Sequence, residues 1–316
     1  KYHRQLRLSR ADIIPQDLMS IMEFSEQQRM FCELVYSKHG ENWISTILSG
    51  DFGEDPEYER FLESTRFGVQ RRLGFFSDEQ TKIFTRYDSE LGLEYDSLLC
   101  DIVCALEKGR VITIDTTLIT EKEQFLLNTL VARVLFSLRK ALKSSRDDRE
   151  SLKNEIRIAF GIDKDMGTRG SVVFVEKLLS ALNDGDLPYL REDKPVAITE
   201  LPHINIVIEE APSVLNPERI RFGSVFRDIS RQGRKFQIGL TVITQQVTAI
   251  DKGILTQINT EITMALGNET ERKEAIRNAS ADLYGFEKEL QVMDKGQTIL
   301  TASYRDVPIP VQATEV

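Results

Sequence analysis

The segment INIVIEEAPSVL, residues 204–215, places the strongest limit on how this chain can fold. Its first five residues include four apolar side chains, and two adjacent acids, Glu209 and Glu210, follow directly. A strand with one face in water alternates polar and apolar residues, whereas a strand inside a parallel sheet is covered on both faces and is apolar along its length. The segment therefore predicts a buried parallel strand that ends in two carboxylates.

Further segments favour an α/β fold with a mainly parallel sheet. Strands are also predicted in FQIGLTVITQQ, TEITMALGN and GQTILTAS, and helical segments separate INIVIEE, FQIGLTVITQQ and TEITMALGN. Nearer the amino terminus, RVITIDTT is β-branched and predicts another strand, and Thr120 and Glu123 form a capping box at the start of the helix that follows. In such a sheet the ligand site lies at the carboxyl ends of the strands.

The period of the apolar residues divides the chain into two regions. Residues 1–108 have helical spacing and are interpreted as a helical subdomain, in which Ser25 and Gly40 bound one helix. Residues 109–316 form the predicted α/β core, with a charged, turn-rich insertion at about 143–202 that we expect to be mobile. Within this insertion, Lys164 and Arg169 either contact a polyanion or lie in a solvated loop.

Composition and charge exclude several classes of protein. The net charge of −9 argues against a broad nucleic-acid-binding surface but allows a local basic lining. Cys32, Cys100 and Cys104 include no CxxC pair and are interpreted as core residues, and three widely spaced histidines do not form a zinc site. No apolar run is long enough to span a bilayer and no signal peptide opens the chain, so we expect a cytoplasmic protein.

The two acids have a specific chemical use at the end of a parallel strand. One carboxylate can hold Mg²⁺, directly or through water, while the other polarises an attacking water, as hydrolysis of a nucleoside triphosphate requires. Apolar residues that end in two acids resemble the Walker B element of such enzymes. The alternative is that Glu209 and Glu210 cap the next helix or lie in solvent.

The segment after these acids predicts a helix that begins with Asn216 as N-cap and Pro217 in its first turn. One face of this helix is apolar and the opposite face is basic. The basic face is either simply solvated or lies at a protomer boundary, where guanidinium groups stabilise charge on a neighbour's phosphate. The apolar residues are Phe222, Val225, Phe226 and Ile229, and the basic residues are Arg227, Arg231 and Arg234.

Polar residues also follow the next predicted strand. Thr244, Gln245 and Gln246 come directly after IGLTVI, at the carboxyl end of the strand adjoining the one that carries the acids. An amide at this position can sense a γ-phosphate or orient a water. The alternative is that Gln245 only starts a turn.

Taken together, these segments resemble the HerA-type ATPases, which belong to the HerA and FtsK group of hexameric DNA-translocating motors. The resemblance covers the part of the chain from Ile206 to Gln312, and several motifs in the same order make it more specific than any one of them. The segments that carry it are IVIEEAPSVL, RDISRQGRKFQIGLTVITQQ, IDKGILTQINTEITMAL and GQTILTASYRDVPIPVQ.

The resemblance implies a RecA-like P-loop ATPase core that uses ATP and Mg²⁺. Glu209 would be the acid associated with magnesium, Glu210 the catalytic base or water-positioning residue, and Gln245 the sensor. Arg234, together with Arg231, would be the arginine finger that acts in trans. The implied partners are other copies of the chain in a homohexameric ring, double-stranded DNA in its channel, and a NurA-type nuclease for resection of DNA ends.

The sequence departs from the family in two places. Pro212 follows EEA where family members commonly carry His, and the phosphate-binding loop GxxxxGK[ST] is missing, because no Gly-Lys dipeptide occurs in the chain. We therefore interpret the 316 residues as the carboxyl-terminal part of a HerA-like motor, which would be inactive as an isolated fragment. Lys252 and the loop from Lys164 to Arg169 are candidates for DNA contacts in the channel.

Two alternatives remain open at this point. The chain could belong to a conjugation or packaging motor of the same broad group, which keeps the ATPase chemistry but moves a different cargo. It could also be a relative without the phosphate-binding loop that acts as a non-enzymatic assembly or regulatory subunit.

Overall fold

The computed structural model describes residues 4–19, 21–53, 55–77, 80–87, 91–163, 167–168, 171–221 and 223–313. The chain divides into two units. The first comprises Lys1–Ile204 with Gly233–Gly239, and the second comprises Asn205–Gln232 with Leu240–Val316.

The first unit consists mainly of helices, which pack through apolar faces, and it also contains three pairs of very short strands. Its helices are α1 (Pro15–Met19), α2 (Glu26–His39), α3 (Trp43–Ser49), α4 (Pro56–Glu59), α5 (Glu63–Leu73), α6 (Leu99–Glu107), α7 (Glu121–Ser144), α8 (Arg149–Ala159) and α9 (Val172–Asn183). The strand pairs are β1 (Leu8–Ser9) with β2 (Phe84–Thr85), β3 (Ile162–Asp163) with β4 (Gly167–Thr168), and β5 (Leu190–Arg191) with β6 (Lys194–Pro195).

Local sequence signals set the helix ends in this unit. The Ser25 side chain accepts from the Gln28 amide at the start of α2, and Gly40, with φ of 50°, ends that helix as predicted. At the start of α7, the Thr120 hydroxyl and the Glu123 carboxylate form the predicted capping box. In the ranges that the structure describes, no helix has both the length and the apolar character needed to cross a membrane.

Two predictions about the first unit are wrong. Residues 110–116 of RVITIDTT are not in a strand, and Val111 is 94% exposed, because no described strand pairs with this segment and β-branched residues do not make a strand without a partner. The insertion at 143–202 is predicted to be mobile, but it contains two regular helices, α8 and α9, which bury residues such as Leu152, Ile156 and Leu178. Lys164 and Arg169 lie outside the described residues.

The second unit holds most of the predicted strands. Strands β7 (Ile204–Ile208) and β8 (Ile238–Val242) begin in the first unit and continue into the second. The other elements of the second unit are α10 (Pro212–Leu215), α11 (Pro217–Ile220), α12 (Val225–Gln232), α13 (Lys252–Leu255), β9 (Thr260–Thr263), α14 (Glu269–Asn278), α15 (Glu287–Val292), β10 (Gln297–Ala302) and β11 (Arg305–Gln312).

The strands form a parallel pair and an antiparallel sheet. The amide of Ile204 donates to Gln237 O at 3.0 Å, and the amide of Ile243 donates to Ile208 O at 2.9 Å, so β7 and β8 run in the same direction. Strand β10 lies between β9 and β11 and is antiparallel to both. The α/β class and the four strands predicted between residues 204 and 303 are confirmed. The prediction of a mainly parallel sheet is wrong for the last strands, which pair antiparallel, and β7 is not covered on both faces, since Val207 is 54% exposed.

The helix predicted after Asn216 is interrupted. Asn216 caps α11 as expected, since its side chain accepts from the Arg219 amide at 3.0 Å, but this helix ends at Ile220. Gly223 has φ of 97°, which no helical residue adopts, and α12 begins beyond it. Phe226 and Ile229 are buried as predicted, whereas Phe222 lies outside the described residues.

A fully buried ion pair connects five segments of the first unit. Arg139 on α7 and Glu107 at the end of α6 are each 0% exposed, and Arg139 Nη2 lies 2.7 Å from Glu107 Oε2. Tyr189 donates its hydroxyl to Glu107 at 2.8 Å. The remaining Arg139 donors reach Phe236 O at 3.1 Å and Pro202 O at 3.0 Å, so both segments that lead into β7 and β8 are fixed to α7.

Removal of one member of this pair should destabilise the first unit strongly. Arg139→Met leaves the Glu107 carboxylate buried without its cation, and we expect a loss of about 3–5 kcal/mol in the free energy of unfolding. Urea denaturation followed by circular dichroism measures this loss. Arg146→Met, at an exposed position beyond the same helix, is the control and should change stability by less than about 0.5 kcal/mol. Equal losses in the two variants would contradict the expectation.

Candidate functional site

The carboxyl ends of β7 and β8 lie side by side in the second unit. Ile243 donates its amide to Ile208 O at 2.9 Å, and Ala211 donates its amide to Ile243 O at 3.2 Å. These two bonds flank Glu209 and Glu210, which follow β7, and fix them next to the residues that follow β8. The structure therefore brings the two predicted acids to the strand edge where α/β proteins bind ligands.

Glu210 has an unusual backbone conformation at this edge. Its φ of 47° lies in the left-handed region, which costs an ordinary residue about 1–2 kcal/mol. The carbonyl of Glu210 accepts hydrogen bonds from the amide and hydroxyl of Ser213, at 3.0 and 2.8 Å, which hold this turn at the start of α10. Strain of this kind occurs at sites where a side chain has to leave the backbone in a particular direction.

Both carboxylates are available to a ligand. Glu209 and Glu210 are exposed, and no described side chain forms an ion pair or hydrogen bond with either of them. The alternative in which these acids cap the following helix does not hold, because Ala211 is the N-cap of α10 and no side-chain cap is present there. The exposure of the two carboxylates is compatible with a cation site and equally with the alternative in which they lie in solvent.

The residues after β8 form a short turn beside these acids. The Thr244 hydroxyl accepts from the Gln246 amide at 2.8 Å, which bends the chain and leaves Gln245 exposed. This geometry is compatible with both interpretations of Gln245. The residue lies in a bend, as a turn residue would, and its side-chain amide is also free to contact a phosphate or a water. The turn that contains Gln245 thus follows the strand that is paired with the one before Glu209 and Glu210.

The predicted basic face is divided by an ion pair. Arg227 does not share the exposed face, because its Nη2 lies 3.2 Å from Asp251 Oδ2 and the side chain is partly buried. Arg231 at the end of α12 and Arg234 in the turn after it are exposed, and no described acid pairs with either. The interpretation of Arg227 as a third exposed cation is therefore wrong, and Arg231 and Arg234 remain as candidates.

The donor set at this edge fits a hard cation. Among the described residues, no group of three or more His, Cys, Asp and Glu side chains is arranged to bind a metal. Mg²⁺ does not need such a group, because it keeps several waters and binds through one or two carboxylates together with substrate phosphates. Glu209 and Glu210 supply oxygen ligands of this type, and Glu209 could hold the ion.

Sequence reasoning missed Glu261, an acid inside β9. Its carboxylate accepts from the Thr301 hydroxyl at 3.3 Å on the neighbouring strand β10. Burial raises the pKa of Glu261 from 4.5 to about 7, and the Thr301 hydrogen bond only partly opposes this shift. The sequence offered one signal for this acid. In the strand TEIT, Glu261 alternates with the exposed residues, so it lies on the partly buried face.

The stability of the chain should depend on the ionisation of Glu261. Since its folded-state pKa lies above 4.5, the unfolded chain loses the proton first, and the stabilisation present below pH 4.5 is lost as the pH rises through about 7. Thermal melting between pH 4 and pH 8 measures this loss. Glu261→Gln should flatten the profile, whereas Glu287→Gln, at an exposed position, should leave it unchanged. A steeper profile in Glu261→Gln would contradict the assignment.

Comparisons with known proteins find similarity between part of this chain and DNA helicases. The chain is 31% identical over 110 residues to the DNA double-strand break repair helicase HerA of Saccharolobus solfataricus, over 34% of this chain and 21% of that protein. It is 28% identical over 111 residues to the HerA of Sulfurisphaera tokodaii, over 34% of this chain and 22% of that protein. The chain is similar to HerA-type helicases.

The solved structures agree at the level of the fold. VirB4 of Thermoanaerobacter pseudethanolicus superimposes with a TM-score of 0.50 over 99% of this chain and 73% of that chain, at 11% sequence identity. No protein-family model matches the chain. The similarity to the HerA helicases spans about a fifth of their length, and the likeness to VirB4 shows a similar fold.

Proposed function

We propose that this chain is part of an ATP-driven double-stranded DNA translocase of the HerA type. The observation that carries the proposal is that Glu209, Glu210 and Gln245 follow two paired parallel strands at their carboxyl ends. The similarity to two repair helicases supports DNA as the cargo. The HerA similarity also favours DNA end resection over the conjugation or packaging alternative.

Each group at the edge has a separate task in this proposal. Glu209 would hold Mg²⁺, which would neutralise charge on the phosphates of ATP. Glu210, directed by its left-handed backbone, orients the attacking water and accepts its proton. Gln245 contacts the γ-phosphate or the same water, and thereby reports whether ATP is present.

Arg234, assisted by Arg231, acts as the arginine finger of a neighbouring subunit. Both side chains are exposed and have no described acidic partner, so their guanidinium groups are free to reach another copy of the chain. A finger in trans explains why the active unit would be a ring, which we propose to be a homohexamer. Guanidinium groups contact phosphate oxygens through two parallel hydrogen bonds, which suits them to the developing charge.

The remaining partners follow from this assignment. Duplex DNA would pass through the ring, and Lys252, exposed at the start of α13, is a candidate contact there. Lys164 and Arg169 also stay candidates. A NurA-type nuclease would cut the DNA that the ring delivers. The negative net charge does not oppose the proposal, because a channel needs only a few basic side chains in each subunit.

The missing phosphate-binding loop limits what these 316 residues can do. Backbone amides and a lysine of such a loop cradle the β- and γ-phosphates, and no GxxxxGK[ST] motif occurs in the chain. We propose that the loop is supplied by another part of the intact protein, so the isolated 316 residues should not hydrolyse ATP. The same absence favours a second candidate, a non-enzymatic assembly subunit.

Glu210→Gln in the intact protein should abolish turnover and preserve nucleotide binding. The substitution removes the proton acceptor but keeps the shape of the side chain, so we expect at least about a hundredfold loss of kcat. ATP hydrolysis and binding of a fluorescent ATP analogue, each with duplex DNA present, measure the two effects. Glu218→Gln, an exposed acid on α11, is the control and should retain parental kcat. Absence of ATP hydrolysis by the parental protein would favour the assembly subunit.

Arg234→Ala should also lower kcat, by about a thousandfold, but through the adjoining subunit. Mixed rings of Arg234→Ala and Glu210→Gln protomers contain interfaces with one intact acid and one intact finger, and these should recover part of the activity. Titration of one variant against the other at constant total protein measures the recovery. Lys235→Ala removes the neighbouring exposed cation and should keep parental kcat. Complete lack of recovery would argue against a finger in trans.

A further inference from the structure

The turn that carries Arg234 is fixed at both of its ends. Residues Gly233–Phe236 form a single 3-10 turn in which Gly233 and Phe236 are buried, whereas Arg234 and Lys235 between them are exposed. The backbone of Arg234 is thus held in the first unit while its side chain extends into solvent. The direction in which this guanidinium can reach depends on what holds Phe236.

One face of α7 holds Phe236 through three different contacts. The Phe136 ring meets the Phe236 ring edge-on, with centroids 5.1 Å apart at 78°. The Lys143 ammonium lies 5.1 Å from the Phe236 ring centroid, and Arg139 Nη1 donates to Phe236 O at 3.1 Å. Phe136, Arg139 and Lys143 are spaced three and four residues apart, so they share one face of the helix.

The residue after the turn closes it from the other side. Gln237 has φ of 53°, in the left-handed region, and donates its amide to Arg234 O at 3.3 Å. The carbonyl of Gln237 accepts from the Ile204 amide at 3.0 Å, which is the first bond between β7 and β8. A left-handed non-glycine residue persists only where its surroundings hold it, and here the surroundings are the anchored Phe236 and the strand pair.

We propose that Phe136, Arg139 and Lys143 on α7 are positioning residues for Arg234, and this inference rests on the proposed function. The long Arg234 side chain is flexible, so its reach is set by the backbone from which it starts. An error of about 1 Å in the position of a catalytic group can reduce the rate by about a hundredfold. In this proposal, the three residues of α7 set the position of the Arg234 backbone through Phe236, and they do not themselves contact the nucleotide.

The first test is Phe136→Leu in the intact protein. The change keeps an apolar side chain but removes the ring contact with Phe236, and we expect kcat for ATP to fall by about 10- to 100-fold. KM for ATP should stay within about twofold, because a finger acts in the transition state and not in substrate binding. Phe125→Leu is the matched control, since Phe125 is comparably buried on the same helix and has no ring contact with Phe236.

Phe125→Leu should lower the melting temperature to a similar extent but keep kcat within about twofold of the parental value. Similar losses of kcat in both variants would mean that loss of packing alone explains the effect, and they would overturn the inference. An unchanged kcat in Phe136→Leu would overturn it as well.

A double variant separates positioning from general destabilisation. If Phe136 acts through Arg234, then Arg234→Ala with Phe136→Leu should have the same kcat as Arg234→Ala alone. A further drop of tenfold or more in the double variant would show that the two residues act independently, and would overturn the inference.

Mixed rings distinguish failure of this inference from failure of the proposed function. Phe136→Leu protomers mixed with Glu210→Gln protomers should recover activity, because the former keep an intact acid and receive a well-placed finger from the latter. If Arg234→Ala mixtures recover and Phe136→Leu mixtures do not, only the positioning role is overturned. If Arg234→Ala alone retains parental kcat, the finger assignment is wrong and the positioning role falls with it.

Discussion

The buried Arg139–Glu107 ion pair is the interaction on which the arrangement of the strands depends. A guanidinium group without water is tolerated only when its donors are satisfied, and here Pro202 O and Phe236 O satisfy the donors that Glu107 does not. These carbonyls belong to the segments that precede β7 and β8. Because each strand spans five residues, strands that begin level also end level. At the other ends of the strands, the Ile243 amide donates to Ile208 O, which places the acids beside the segment that contains Gln245.

The candidate site combines charge, exposure and backbone strain at that edge. Two adjacent carboxylates repel each other and would be unfavourable in an apolar interior. At the exposed end of a strand they are accessible to a cation. Glu210 keeps a left-handed backbone because Ser213 and the strand pairing hold both sides of it. Arg234 follows the same principle, since the anchored Phe236 and the left-handed Gln237 confine its backbone while its side chain stays free.

Sequence reasoning succeeded where the signal was local, but it wrongly predicted that β7 is covered on both faces, since Asn205 and Val207 are exposed. The capping box of Thr120 and Glu123, the strands at 204–208 and 238–242, and the buried Phe226 all follow from residue types within one element. It failed where the structure of a residue depends on a second residue or strand that is distant in the sequence. Residues 110–116 have strand propensity but no described strand beside them, and Arg227 is drawn from the basic face by Asp251, which lies 24 residues further along the chain.

By itself, the sequence determined which segments are apolar enough to become strands and that two acids and an amide follow two of them, because these properties belong to single elements. Only the tertiary structure decided that the strands pair in parallel and in register, that Glu210 adopts a left-handed backbone, and that α7 fixes the turn of Arg234. These features arise from hydrogen bonds and ring contacts between residues as far apart as Arg139 and Phe236, which no local pattern encodes.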